Sequence, residues 1–245
     1  MRLRVINPNT SAHMTAQICA AARAVAAAGT EIVAVNPSFG APSIEDHHDD
    51  VWAAAGVTEQ VRIGEAEGTD AHVIACFGDP GLHAARELAR GPVIGIAEAA
   101  FHAASLVATG FSVVTTLTRT CVIAEHLVLQ YGFERRCRGI HGTDIAVLEL
   151  DDPASDAYAR ILASAQHALV HDRSGAIVLG CAGMADLCHA LQQRLGVPVI
   201  DGVAAAVKLA EALVSLGLKT SKRGDYAAPL AKNYAGLAAP FSPEG

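Results

Sequence analysis

The chain has few aromatic residues, no basic cluster and no long apolar run. Aromatic side chains make up 4% of its 245 residues, although 51% of the residues are hydrophobic. We therefore expect a core built from Ala, Val, Leu and Ile. The formal net charge is −7, and no cluster of Lys and Arg is interleaved with aromatic residues, so we expect no nucleic-acid partner. No apolar run approaches the roughly 18–20 residues that cross a membrane, so we expect no membrane partner.

Common cofactor and metal motifs are also missing from the sequence. It contains no G-x-G-x-x-G or Walker sequence, which argues against a nucleotide cofactor. Its six cysteines include no Cys-x-x-Cys pair, which argues against a zinc ribbon or a thioredoxin-type site. Residues 47–50 (HHDD) have metal-ligand side chains, but neighbours in a polar loop usually point to solvent, and no partner motif accompanies them. We predict neither a cofactor nor a metal.

The beginning of the chain and its cysteine content predict a compartment. Residues 1–10 (MRLRVINPNT) enter a strand pattern directly, without the apolar segment of a signal peptide. We therefore expect a cytoplasmic protein whose cysteines are reduced thiols.

Short apolar runs alternate with alanine-rich amphipathic stretches along the whole chain. The runs predict strands at residues 3–6, 31–35, 72–76, 93–96, 112–115, 139–141, 176–179 and 199–200. The stretches predict helices at residues 10–28, 51–67, 82–90, 98–109, 120–131, 154–172, 187–195 and 203–216. Because alternation of this kind is typical of parallel sheets covered by helices, we predict an α/β fold.

The two halves of the chain resemble each other around a pair of cysteines. Residues 70–81 read DAHVIACFGDPG and residues 174–186 read SGAIVLGCAGMAD. In each half an apolar run ends on a cysteine, Cys76 or Cys181, and a glycine-bearing turn follows. A duplicated lobe with one thiol per copy predicts two thiols that face each other across a cleft.

Two opposed thiols can remove a proton from one face of a carbon and replace it on the other. A thiol has a pKa near ~8.5, and a helix N-terminus lowers the pKa of a neighbouring cysteine. We expect this effect at Cys76 and Cys181, so that one thiolate acts as base while the other thiol acts as acid. Candidate donors to the enolate oxygen are the backbone N–H groups of Phe77, Gly78, Ala182 and Gly183 and the hydroxyls of Thr115 and Thr116. The turn at Pro8 and Asn9 is predicted to lie at the same edge of the sheets, because ligands bind beyond the carboxyl ends of the strands.

Other reactive side chains have plainer interpretations. Cys19, Cys121 and Cys188 are predicted to lie in helices, and Cys137 in an exposed basic turn, so we expect all four to be structural. Asp79 has two open roles: it either binds substrate or caps the helix that starts at residue 82.

Five segments together resemble the aspartate/glutamate racemase superfamily, and in particular its hydantoin and allantoin racemase branch. They are residues 7–11 (NPNTS), 76–81 (CFGDPG), 113–116 (VVTT), 180–184 (GCAGM) and 201–203 (DGV), and the tail at 219–226 (KTSKRGDY) is similar as well. The resemblance implies two pseudo-symmetric α/β lobes with the active site in the cleft between them. It also implies two-base racemisation without a cofactor, catalysed by Cys76 and Cys181, and a homo-oligomer. The C-terminal segment is expected to return to the first lobe, which gives lobes of residues 1–97 plus 208–245 and of residues 98–207.

The residues after each cysteine depart from the amino-acid racemases of the superfamily. Those enzymes usually have Asn-Thr after the first cysteine and Thr-His after the second, where this chain has Phe77-Gly78 and Ala182-Gly183. The replacements remove side chains that would hold an ammonium and a carboxylate, so a neutral cyclic diamide fits better. We therefore predict racemisation at C5 of 5-monosubstituted hydantoins, which include allantoin. Two alternatives stay open: an amino-acid racemase or dicarboxylate decarboxylase or isomerase of the same fold, and a non-catalytic two-lobed protein that binds a small molecule.

Overall fold

Two parallel four-stranded sheets with the same strand order form the framework. The computed structural model describes residues 1–151 and 155–243. Residue 154, where the sequence predicts a helix to begin, and residues 244–245 of the predicted first lobe lie outside these ranges. The first sheet has the order β2-β1-β3-β4, and the second has the order β6-β5-β7-β8. The strands are β1 (Arg2–Ile6), β2 (Glu31–Val35), β3 (Ala71–Ile74), β4 (Val93–Gly95), β5 (Phe111–Thr115), β6 (Cys137–Gly142), β7 (Ala176–Leu179) and β8 (Val199–Ile200).

Helices cover both sheets, so the predicted α/β fold with two related halves is confirmed. They are α1 (Ala12–Val25), α2 (His47–Ala66), α3 (Leu82–Leu88), α4 (Ile96–Val107), α5 (Cys121–Gln130), α6 (Ala157–His171), α7 (Cys188–Leu195) and α8 (Gly202–Ser215). Every residue of β3, β5 and β7 is buried, as expected for central strands with both faces covered. No helix in the described part of the chain is both long enough and apolar enough to cross a membrane.

Helix α2 begins four residues earlier than the sequence predicts. Residues 47–50, expected in a polar loop, form its first turn. The side chain of Asp46 caps this turn, because its Oδ1 accepts hydrogen bonds from the backbone N–H groups of His48 and Asp49, each at 3.0 Å. Asp at the N-cap satisfies N–H groups that the helix leaves unpaired, so the polar run starts a helix instead of preventing one.

The scarce aromatic residues concentrate where the two halves meet. Phe101 of α4 is fully buried, and its ring packs against Phe77, Phe111 and Phe133 with centroid separations of 5.4–5.8 Å. Four of the six phenylalanines therefore form one cluster. Aromatic rings bury large areas in this arrangement, so the cluster stabilises the position of one half relative to the other.

The helices α4 and α8 pack against each other beside this cluster. Helix α8 also contacts β3 and β4 of the first sheet, and the residues after it run along α3, where the backbone N–H of Thr220 donates to the carbonyl of Arg90 at 3.1 Å. The predicted boundaries between residues 97 and 98 and between 207 and 208 fall inside these two helices. The division into lobes at those residues stays a prediction.

Candidate active site

The carboxyl ends of the central strands of both sheets open onto one cavity of about 70 Å³. Both Cys76 and Cys181 line it, so the fold brings the two predicted cysteines together. Six of the eight residues predicted to bind substrate also line it: Asn9, Phe77, Gly78, Thr115, Thr116 and Ala182. Pro8 and Gly183 are not among the lining residues. The roles of all these residues stay predictions.

Cys76 lies just beyond the end of β3. The N–H of Ala75 donates to the carbonyl of Ile6 in β1 at 2.8 Å, which extends the strand pairing up to the cysteine. A tight turn follows, closed by a 3.0 Å hydrogen bond from the N–H of Asp79 to the carbonyl of Cys76. Within this turn the N–H of Gly78 donates to the Cys76 sulfur. The Cys76 thiol, which lines the cavity, therefore has a backbone N–H as a hydrogen-bond donor.

Cys181 occupies the equivalent position beyond β7. The N–H of Gly180 donates to the carbonyl of Val114 in β5 at 2.8 Å, the counterpart of the contact before Cys76. Cys181 has extended backbone and caps a 3-10 helix over Ala182–Leu187. Because the leading N–H groups of a helix lack partners within it, this segment presents donors beside the second sulfur.

The electrostatic environment of Cys76 differs from the sequence expectation. Burial raises the pKa of the Cys76 thiol to about 12, with further increases from the nearby Cys181, Asp50 and Asp79, while the Gly78 N–H lowers it. The expectation that a helix N-terminus would lower this pKa is wrong, because α3 begins only at Leu82, past the turn. At neutral pH Cys76 therefore holds its proton.

Asp79 does not take the capping role predicted for it at α3, and its role in binding substrate stays a prediction. Its carboxylate accepts hydrogen bonds from the N–H groups of Ala97 and Glu98, both at 3.0 Å, so it caps α4 and not α3. The hydroxyl of Tyr131 donates to the same carboxylate at 2.8 Å. Burial raises the pKa of Asp79 to about 7 against the opposing effect of these donors. Asp79 lies outside the cavity lining and holds the turn after Cys76.

The turn after β1 is held by its own side chains. The amide of Asn7 donates to Asn9 Oδ1 at 2.8 Å and to Thr15 Oγ1 at 3.0 Å, and Asn9 Oδ1 also accepts from the N–H of Ser11 at 2.9 Å. Pro8, between the two asparagines, is buried. Much of the hydrogen-bonding capacity of this turn is therefore used to fix its shape.

The hydroxyls of the predicted enolate donors are not equally available. Thr115 Oγ1 donates to the carbonyl of Gly180 at 2.9 Å, so its proton is already engaged. That bond ties β5 to the residue before Cys181. Thr115 therefore positions the second cysteine, whereas a donor role toward substrate requires this bond to break.

Several lining residues were not predicted from the sequence. They are Asn7, Met14, Ile44, Asp50, Thr120, Ile123, Ala124 and Val147. The apolar members come from loops and helices far apart in the chain, and no local pattern marks them. Asp50 could have been found, because it lies four residues after the N-cap Asp46 and so in the first turn of α2.

The other cysteines lie away from the cavity lining. Cys19, Cys121 and Cys188 belong to helices α1, α5 and α7, as predicted. Cys137 was predicted to lie in an exposed turn, but it begins β6 and is half-buried. Burial raises the pKa of its thiol to about 11. Within residues 1–151 and 155–243, none of the six cysteines forms a disulfide.

Two related α/β halves, each with one cysteine at the shared cavity, are what the resemblance to the racemase superfamily implies. The chain belongs to the Asp/Glu/Hydantoin racemase family, whose model matches residues 3–210. It is 50% identical to a hydantoin racemase of Rhizobium meliloti over 236 residues, which cover 96% of this chain and 98% of the relative.

Two solved structures are similar over nearly their whole length. The allantoin racemase from Klebsiella pneumoniae is 59% identical with a TM-score of 0.97, and 99% of each chain is covered. The allantoin racemase from Pseudomonas fluorescens is 42% identical with a TM-score of 0.93, and 96% of this chain and 100% of that chain are covered.

Proposed function

We propose that this protein is an isomerase that racemises 5-monosubstituted hydantoins, allantoin included, without a cofactor. The observation that carries the proposal is that Cys76 and Cys181, at equivalent positions after β3 and β7, line the same cavity. The similarity to proteins named hydantoin racemase and allantoin racemase supports the substrate class.

The reaction needs two groups on opposite faces of C5. One thiolate removes the C5 proton, and the electron pair of the broken C–H bond moves into the ring carbonyl. The opposite thiol then donates its proton to the other face of C5 and becomes the thiolate. The reverse reaction exchanges the two roles, so each enantiomer has its own base.

The charge on the enolate oxygen has to be stabilised by donors fixed in advance. Among the N–H groups that follow the two cysteines, those of Phe77 and Ala182 belong to residues that line the cavity, and they begin a tight turn and a 3-10 helix. Donors of this kind cost no reorganisation when charge develops. We assign them this role, together with the side chains of Asn9 and Thr116 at the same edge.

The charges around the cavity favour a neutral substrate over a free amino acid. Among the described residues that line it, Asp50 carries a carboxyl group, and there is no Lys or Arg. The carboxylate of an amino acid or a dicarboxylate would add a negative charge beside Asp50 and a thiolate, which is costly in a partly desolvated site. A hydantoin ring brings no such charge.

The test measures the loss of optical activity and the exchange of the C5 proton in the same sample. Enantiopure L-5-benzylhydantoin and one enantiomer of allantoin are incubated with the protein in deuterated buffer, with circular dichroism for racemisation and NMR for deuterium at C5. We expect decay of the signal with solvent deuterium at C5. Neither decay nor exchange above the uncatalysed rate would overturn the proposal. Turnover of aspartate, glutamate or an arylmalonate instead would favour the second enzyme class, and stable binding of one enantiomer would favour a binding protein.

We also propose that the protein is cytoplasmic and forms a homo-oligomer. Leu106, Leu230 and Leu237 are 83%, 80% and 92% exposed in the single chain, and their burial between copies of the chain would remove apolar surface from water. Light scattering coupled to size-exclusion chromatography tests the assembly: a multiple of 25.3 kDa is expected, and a monomer at micromolar concentration would contradict it.

A further inference from the structure

Asp50 is a cavity residue for which the two-thiol reaction has no use. It lies in the first turn of α2, where its backbone N–H donates to the carbonyl of Asp46 at 3.1 Å. The two neighbouring carboxylates are occupied by the backbone: Asp46 caps the helix, and Asp49 Oδ2 accepts from the N–H of Glu45 at 3.1 Å. The side chain of Asp50 instead lines the cavity.

The Asp50 carboxylate lies beside the first thiol. A Cβ placed on Gly78 would be 3.5 Å from Asp50 Oδ1 and 3.9 Å from Cys76 Sγ. The carboxylate and the sulfur therefore flank the same glycine. Both residues line the same cavity, so one ligand can contact both.

In the described part of the chain, no hydrogen-bond donor contacts the Asp50 carboxylate. Burial raises its pKa, and the charge of His47 is the opposing influence. An unpaired, half-buried carboxylate costs free energy, and a ligand that supplies an N–H donor recovers part of that cost. The Asp50 carboxylate also disfavours the reaction where it lies close to the developing charge, because its negative charge repels the negative charge that forms on the substrate.

This repulsion argues against the ring carbonyl as the part of the substrate that meets the carboxylate. In the proposed reaction, negative charge develops at the ring carbonyl next to C5, so a carboxylate facing the ring carbonyl would slow the reaction. A substituent on C5 carries none of that charge. A ureido substituent offers N–H donors, while a hydrocarbon substituent offers none and would leave the carboxylate desolvated.

We infer that Asp50 is a specificity-determining residue that accepts hydrogen bonds from the N–H groups of a ureido substituent on C5. This inference rests on the proposed hydantoin racemisation and deepens it. It makes allantoin the preferred substrate over hydantoins with benzyl or methyl substituents. The apolar lining residues, such as Ile44, Ile123 and Val147, would contact the substituent without forming hydrogen bonds to it.

The experiment compares Asp50→Ala, Asp50→Asn and the matched control Asp49→Asn with the wild type on allantoin, 5-methylhydantoin and 5-benzylhydantoin. We expect Asp50→Ala to lower kcat/KM for allantoin by roughly 10- to 100-fold, the effect of removing a hydrogen bond to a charged group. The two hydrocarbon substrates should keep their kcat/KM within about threefold or gain, because the carboxylate is no longer desolvated. Asp50→Asn keeps an acceptor oxygen and should give an intermediate loss.

Other outcomes separate this inference from the proposed function. Equal losses on all three substrates would assign Asp50 to the ring or to the fold and overturn the inference, as would no loss on allantoin. A wild type that prefers the benzyl substrate would overturn it too. If the wild type racemises no hydantoin, the proposed function itself is wrong. Thermal melts of each variant check that it folds. If Asp50→Ala does not fold, the comparison uses Asp50→Asn, whose side chain has nearly the same size and shape as that of Asp50.

Discussion

The hydroxyl of Tyr131 donates a 2.8 Å hydrogen bond to Asp79 Oδ2 and joins the end of α5 to the turn that follows Cys76. The same carboxylate caps α4 through Ala97 and Glu98. One buried side chain thus connects the turn beyond the first sheet with two helices that cover the second. Buried polar groups that are fully hydrogen-bonded restrict a structure to one arrangement, here the one in which the two cysteines share a cavity.

Replacing Tyr131 with Phe should destabilise the protein. The change leaves the ring in place and removes an O–H donor to a buried carboxylate, so we expect the free energy of unfolding to fall by about 1–3 kcal/mol. Urea denaturation measures it. The control is Tyr158→Phe, since Tyr158 lies on α6 and is 37% exposed. Equal stability of the two variants would show that the Tyr131 bond contributes nothing.

Asp79 should make stability depend on pH. Its pKa is raised to about 7, whereas the unfolded chain releases this proton near ~4. Between these values the folded state binds more protons, so the contribution of Asp79 to the free energy of unfolding falls as pH rises, by up to about 1.4 kcal/mol per pH unit, and is constant above about pH 7. Other carboxylates titrate as well, so the measurement is the difference between wild type and Asp79→Asn at several pH values. A difference that does not change between pH 4.5 and 7 contradicts the assignment.

The thiol of Cys76 should react slowly in the ligand-free protein. Because its pKa is raised to about 12, the thiolate fraction at pH 8 is on the order of 10³-fold below that of an unperturbed cysteine. Alkylation by iodoacetamide, followed by peptide mass mapping, should accelerate about tenfold per pH unit from pH 7 to 9. A rate that levels off below pH 9 would mean that Cys76 is ionised more readily than its surroundings indicate.

Gly180 should not tolerate a side chain. A Cβ at this position would lie 2.5 Å from Cβ of Thr115 and 3.0 Å from its Cα, so Gly180→Ala must push β5 and β7 apart next to Cys181. We expect a loss of about 1–3 kcal/mol in stability and at least a tenfold loss in kcat, in keeping with misplacement of a reacting group. The control is Gly175→Ala at the other end of β7, where the nearest atom, Cβ of Ala108, is 3.3 Å away. Similar effects of the two substitutions would argue against a special constraint at Gly180.

The sequence predicts the strands well because their signal is local. Residues 31–35, 176–179 and 199–200 form strands with the predicted bounds, since short β-branched runs between polar turns have few other folds available. The internal duplication also predicts that Cys76 and Cys181 meet. Parallel strands place their carboxyl ends at one edge, and the duplication repeats that edge in each half.

The features that the sequence does not predict depend on contacts between distant residues. The cap on α4 comes from Asp79, eighteen residues before Ala97, and no local pattern connects them. The high pKa of Cys76 arises from burial, which a helix-end argument does not include. The role of residues 47–50 was misjudged because a polar run suits both a loop and a capped first turn.

The central claim is that two thiols act on opposite faces of one carbon, and the single variants Cys76→Ala and Cys181→Ala test it most directly. Each is assayed with both enantiomers of the substrate that the wild type racemises, by circular dichroism and by deuterium incorporation at C5. We predict that each variant loses racemisation in both directions, because inversion needs one thiol on each face of C5. The remaining thiol still serves its own face, so it permits exchange of the C5 proton with retention of configuration for the enantiomer whose proton points to that thiol. Racemisation at the wild-type rate by either variant would contradict the two-thiol account.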